Sequence, residues 1–98
     1  MEIVLNKEEM QTLEQVVRAA ITTRKKELSL SDEALGGIAF PFMANPAGKV
    51  QALLVGQGAG ENRKPQQMKI GDMINLCEGV GLRWADVLQG AVREVKKR

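Results

Sequence analysis

The side chains best suited to recognising a partner follow the pair Asn45-Pro46, where Lys49 and Gln51 stand among the small residues Ala47, Gly48 and Ala52. Lysine donates to a guanine edge and glutamine pairs with adenine in the major groove of a duplex. If this segment is a helix with its first turns facing outward, the spacing suits base readout. Arg63, Lys64 and Lys69, together with Ser31 and Asn62, are the candidates for holding phosphates. Phosphate contacts supply most of the affinity and its salt sensitivity, but carry no sequence information. The plainer reading of Lys49 and Gln51 is a solvated helix surface.

Other chemistry finds less support. Gly56-Gln57-Gly58-Ala59-Gly60 has the composition of a phosphate-cradling loop. Such a loop needs a strand before it and a helix opening directly after it, and Glu61-Asn62-Arg63-Lys64-Pro65 opens a helix poorly. A glycine-rich surface loop closing a helix fits better. The lone Cys77 has no histidine to activate it, since the chain contains none, and its apolar neighbours suit a buried, inert thiol. One thiol and scattered carboxylates do not make a zinc site. Without a nucleophile–base pair no enzyme is expected, and no cofactor, metal or small-molecule ligand. The five methionines read as core filler and Trp84 as a packing anchor.

With 98 residues and an apolar fraction of 44%, the chain is expected to form one domain over 1–98. Its core must come from Leu, Ile, Val, Met and Ala, because Phe40, Phe42 and Trp84 are the only aromatics. The net charge of +2 is unevenly spread: −2 over residues 1–33, +3 over 34–71 and +1 over 72–98. A basic middle is compatible with a nucleic-acid face. The single cysteine excludes an internal disulfide and points to a reducing, cytoplasmic setting. Ile3-Val4-Leu5 is too short for a signal peptide, and no stretch has the length of a membrane span.

Local signals predict about five helices. Asn6 with Glu9 three residues on makes an Asn version of the capping box. Met10, Leu13, Val17, Ala20 and Ile21 follow on one face, fading at Lys25-Lys26-Glu27. Glu2-Ile3-Val4-Leu5 fits either a short strand or an apolar arm. A second helix begins at Ser31, buries Leu35, Ile38 and Ala39 and stops at Pro41; its Gly36-Gly37 pair calls for close packing in compensation. Asn45-Pro46 opens a third, over about 46–56, with Val50, Leu53 and Leu54 inward and Ala47, Gly48, Lys49, Gln51 and Ala52 outward. The fourth is expected from Pro65 or Gln66 to Glu78, and the last from Arg83 to Lys96, striped by Trp84, Val87, Leu88, Ala91, Val92 and Val95.

From Pro65 through Met73-Ile74-Asn75-Leu76-Cys77-Glu78-Gly79-Val80-Gly81-Leu82-Arg83-Trp84-Ala85-Asp86-Val87-Leu88 the chain resembles the end of the Cro/repressor-type (XRE-like) helix-turn-helix domain. Leu30-Ser31-Asp32-Glu33-Ala34-Leu35 resembles that family's entry to the motif, and Val50, Leu53 and Gly56 match its buried recognition-helix positions and closing glycine. Asp32 departs from the family, standing where its members often carry a phosphate-contacting Gln. The resemblance spans about residues 24–90 and implies an all-α, lambda-repressor-like domain with extended first and last helices. It further implies a sequence-specific, double-stranded DNA-binding transcriptional regulator of bacterial or phage type. A homodimer is expected from the two-fold symmetry of such sites. The α-helical stripe continuing through Val92 and Val95 is the expected dimer surface, with packing on the first helix as the alternative. The rival functional reading is a protein–protein interaction module on the same fold, antitoxin-like or a phage assembly partner.

Overall fold

The computed structural model describes residues 4–56 and 65–97. The chain is all-helical, in the order α1 (Lys7–Glu27), α2 (Asp32–Ala39), α3 (Pro46–Leu54), α4 (Ile70–Gly79) and α5 (Trp84–Lys96), with no strand among the described residues. No described helix is long and apolar enough to cross a membrane.

Local capping sets most of these boundaries. Asn6 Oδ1 accepts the Glu9 N–H at 2.8 Å and the Glu9 carboxylate accepts the Asn6 N–H at 3.0 Å, so α1 begins with a reciprocal capping box. That bond, and then Lys96 beside it, lower the Glu9 pKa; Lys96 Nζ lies 3.0 Å from Glu9 Oε2 and ties the end of α5 to the start of α1. At the other end of α1, Ser29 takes a left-handed φ of 54° and the Leu30 N–H turns back to the Lys25 carbonyl. Ser31 Oγ caps α2 through the Ala34 N–H at 3.0 Å.

The core is one cluster centred on Ile21, Leu35, Phe40, Val50, Leu53, Leu76, Cys77 and Val80, none of which is more than 1% exposed. α1 packs along α5, and α2 bridges α3 and α4. Gly36 is what allows α2 to meet α3. A Cβ built on it would lie 2.6 Å from the Pro46 carbonyl carbon and 2.8 Å from the Pro46 Cβ, distances real side chains do not occupy. This close approach is the packing that offsets the poor helix propensity of Gly36. Gly37 has open space around it.

Four sequence expectations are corrected by the packing. Ile38 is 58% exposed, because α2 buries only the side carrying Leu35, Gly36 and Ala39. Met10 at the open end of the α1 stripe is likewise exposed. α4 starts at Ile70 rather than near Pro65, since the Gln66 N–H is used on the Ala52 carbonyl at 2.8 Å and residues 65–69 are not helical. α3 ends at Leu54, where Gly56 adopts φ 102° and its N–H returns to the Gln51 carbonyl.

Arg18 fastens this junction from α1. Its Nε donates to the Leu53 carbonyl at 2.7 Å and Nη2 to the Gln66 carbonyl at 3.3 Å, so one guanidinium grips both the end of α3 and the segment leading to α4. The side chain is only 12% exposed. Asn75 does the same for α2, donating Nδ2 to the Ala39 carbonyl at 2.9 Å.

Candidate nucleic-acid interface

The N-terminus of α3 is built around a proline and a glycine. Pro46 occupies the first helical turn, where a missing donor costs nothing, and Asn45 Oδ1 accepts the Gly48 N–H at 3.1 Å. A Cβ on Gly48 would meet the Asn45 amide at 2.5 Å. Gly48 therefore makes room for the cap, and its backbone N–H is already engaged. Beyond this cap the first turns of α3 form one wall of an open hollow, with Asn45, Ala47, Gly48 and Gln51 facing Ser31, Asp32 and Glu33 of α2. Gln51 and Ser31 are exposed and Ala47 is half-buried. The Ser31 hydroxyl accepts in the α2 cap, and a hydroxyl in that role still carries a proton to donate.

Two cations near this face, Lys49 and Lys25, are paired with carboxylates. Lys49 Nζ lies 3.6 Å from Asp72 Oδ2 at the start of α4, and Lys25 Nζ lies 3.0 Å from Asp32 Oδ1. The Asp72 oxygen facing Lys49 also accepts the Lys69 N–H at 3.4 Å, which fixes the carboxylate to the α4 terminus. Lys69 itself is exposed, with extended backbone, one residue before α4. The hollow is thus lined by Asp32, which is paired with Lys25, and by the exposed Glu33.

Of the sequence-derived base-contact candidates, Ala47, Gly48 and Gln51 line one hollow, whereas Lys49 does not line it and is paired with Asp72 of α4, and Ala52 is withdrawn from the surface. It is 4% exposed, because α3 is wedged deeply enough to bury Ala52, Leu53 and Leu54 in succession. Of the phosphate-contact candidates, Ser31 sits at the hollow and Lys69 at the nearby α4 terminus, while Asn62, Arg63 and Lys64 lie outside the described residues. The dimer-surface expectation changes at Val95, which is 3% exposed, because α5 lies along α1 and buries Ala91 and Val95 within the chain. Val92 beside it is half-buried.

Asp72, Lys25 and Arg18 were not singled out from the sequence. Asp72 follows Lys69 at capping-box spacing, a signal that could have located it. The Lys25–Asp32 and Arg18–Leu53 contacts join separate elements and leave no periodic trace. Cys77 is fully buried; burial, and secondarily Glu78, push its thiol up to about 11. No group of three or more His, Cys, Asp or Glu among the described residues could hold a metal ion.

No protein-family model matches this chain, and searches of curated proteins and of solved structures likewise find no match.

Proposed function

We propose that this chain is a sequence-specific double-stranded DNA-binding regulator of the Cro/repressor type, bacterial or phage, acting in the cytoplasm as a homodimer without cofactor. The observation that carries this reading is the α2–α3 pair. Gly36 and Pro46 hold the two helices in fixed contact, and the first turns of α3 remain open beside the N-terminus of α2. A helix presented by its N-terminal turns against a supporting helix is how helix-turn-helix proteins enter the major groove. In this reading Gln51 and Lys49 read base edges, Ala47 and Gly48 permit close approach, and Ser31 and Lys69 hold phosphates. The test is a mobility shift with the DNA flanking the chain's own gene, repeated across a salt series. Binding that weakens steeply with salt supports the reading, and absence of binding at low salt overturns it.

One observation favours a second reading, that of a protein–protein interaction module. Lys25 and Lys49 are both engaged by carboxylates, and apolar surface is exposed in the α2–α3 connection, where Phe42 is 76% exposed, and near the end of α2, where Ile38 is 58% exposed. Exposed apolar side chains grouped at one place commonly mark a protein contact. Failure to bind DNA, joined to a mass shift with a protein partner that is lost in Phe42→Ser, would favour this reading.

A further inference from the structure

We infer that Asp72 is a specificity-determining residue, which holds Lys49 against α4 and withholds it from any duplex that does not seat correctly on α3. The inference rests on the DNA-binding reading above. Its basis is the placement of the pair. Lys49 stands in the first turns of α3 next to Gly48, which lines the open hollow, while its own ammonium is turned away from the hollow and lies 3.6 Å from Asp72. The two side chains are only 23% and 16% exposed, so this pair is better shielded from water and salt than an ordinary surface pair. Asp72 is held in place by the Lys69 N–H, whereas Lys49 swings on a four-carbon stem. The carboxylate is the fixed partner and the ammonium the movable one.

A movable cation with a fixed intramolecular anion contributes to DNA binding only through exchange. A duplex must offer Lys49 acceptors at least as favourable as Asp72. A correctly seated major groove does so, with a base edge and a phosphate at defined positions. A duplex held loosely by its backbone offers only a diffuse potential, and Lys49 stays on Asp72. Non-specific affinity depends on the number of phosphates neutralised, so removing Lys49 from that number lowers it, while the specific complex recovers part of the cost of breaking the pair through its own Lys49 contacts. Lys25 on Asp32, a carboxylate that lines the hollow, is a second such pair.

The experiment compares the intact chain with Asp72→Asn, Lys49→Met and the double variant, titrated with random-sequence duplex and with the DNA flanking its own gene over a salt series. Asparagine at 72 still accepts the Lys69 N–H, so the α4 start is retained, which circular dichroism and a denaturant midpoint check. Asp72→Asn is expected to bind random duplex more tightly and to steepen its log–log salt slope by about 0.9, the value of one added phosphate contact. Lys49→Met is expected to weaken binding to the flanking DNA while leaving the random-duplex slope unchanged, and the double variant to show no gain over it. A gain that persists in the double variant would mean that Asp72 repels phosphate directly, and overturns the inference. So does a shallower random-duplex slope in Lys49→Met alone, a measurement that stands even if Asp72→Asn fails to fold. Failure of the unaltered chain to bind any duplex overturns the DNA-binding reading itself, an outcome distinct from an unchanged Asp72→Asn.

Discussion

Gly36 and Pro46 meet at a distance that leaves no room for a methyl group: a Cβ on the glycine would sit 2.6 Å from the proline carbonyl carbon. The neighbouring Gly37 meets nothing within 4 Å. The two glycines share a short helix, so they separate propensity from packing. Gly36→Ala gains the helical preference of alanine but must push two backbones apart, and overpacking of this kind costs about 1–3 kcal/mol. Gly37→Ala carries no such clash and should stabilise by roughly 0.5–1 kcal/mol. Denaturant midpoints of the two variants should move in opposite directions. Equal movement would mean that α2 and α3 are not held by this contact.

Val95 and Val92 separate the interior of α5 from its outer side. Val95 is 3% exposed against α1, and Val95→Ala should cost on the order of 2 kcal/mol from lost burial and the space left behind. Val92→Ala should cost clearly less, because half-buried atoms have less contact to lose. A lysine at 95 should undock α5, seen as lost helical ellipticity, whereas a lysine at 92 should leave the chain folded. Equal tolerance of both lysines would place Val95 outside the core.

These contrasts also mark how far the sequence was readable. The starts of α1, α2 and α3 were legible because Asn6, Ser31 and Asn45 cap with side chains three residues from their partners, a purely local chemistry. The end of α1 and the whole of α5 followed from charge and periodicity in the same way. The start of α4 was not legible. It depends on the Gln66 N–H reaching the Ala52 carbonyl and on Arg18 gripping Leu53 and Gln66, contacts between residues far apart in the chain. Burial failed at Ile38 and Ala52 for one reason. Periodicity shows which residues share a helix face, but not how wide a face the neighbouring helices cover. That Ala47, Gly48 and Gln51 lie together in the first turns of α3 followed from the Asn45-Pro46 signal, but the carboxylates that engage Lys49 and Lys25 come from packing.

Cys77 gives the fold a pH dependence of known sign. Its thiol is pushed up to about 11 by burial, so the folded state favours the neutral form. The stability this represents is fully present below the ordinary value of 9.0 and is lost as pH rises from there toward 11. Within that window the thiol should remove up to about 1.4 kcal/mol per pH unit. Cys77→Ala lowers stability at neutral pH through lost packing, yet should show a flatter decline across the same window. A soluble thiol reagent should meanwhile label the native chain slowly and the denatured chain fast. Rapid native labelling would contradict the burial.

Gln51 and Lys69 should divide recognition from attraction on the proposed DNA face. Gln51 is exposed on the first turns of α3 beside Ala47 and Gly48, where an amide can pair with an adenine edge. Lys69 lies just ahead of α4, an exposed cation suited to a phosphate. Gln51→Ala should therefore weaken binding to the flanking DNA by about 1–3 kcal/mol, leave random-duplex binding alone, and relax preference at one base position. Lys69→Ala should weaken both duplexes alike and reduce the log–log salt slope by about 0.9. Neither substitution removes a buried atom, so thermal midpoints should stay close to that of the unaltered chain. A change in sequence preference from Lys69→Ala, or in salt slope from Gln51→Ala, would exchange their roles and rotate the duplex relative to α3. Unchanged binding in both would move the interface away from this face altogether.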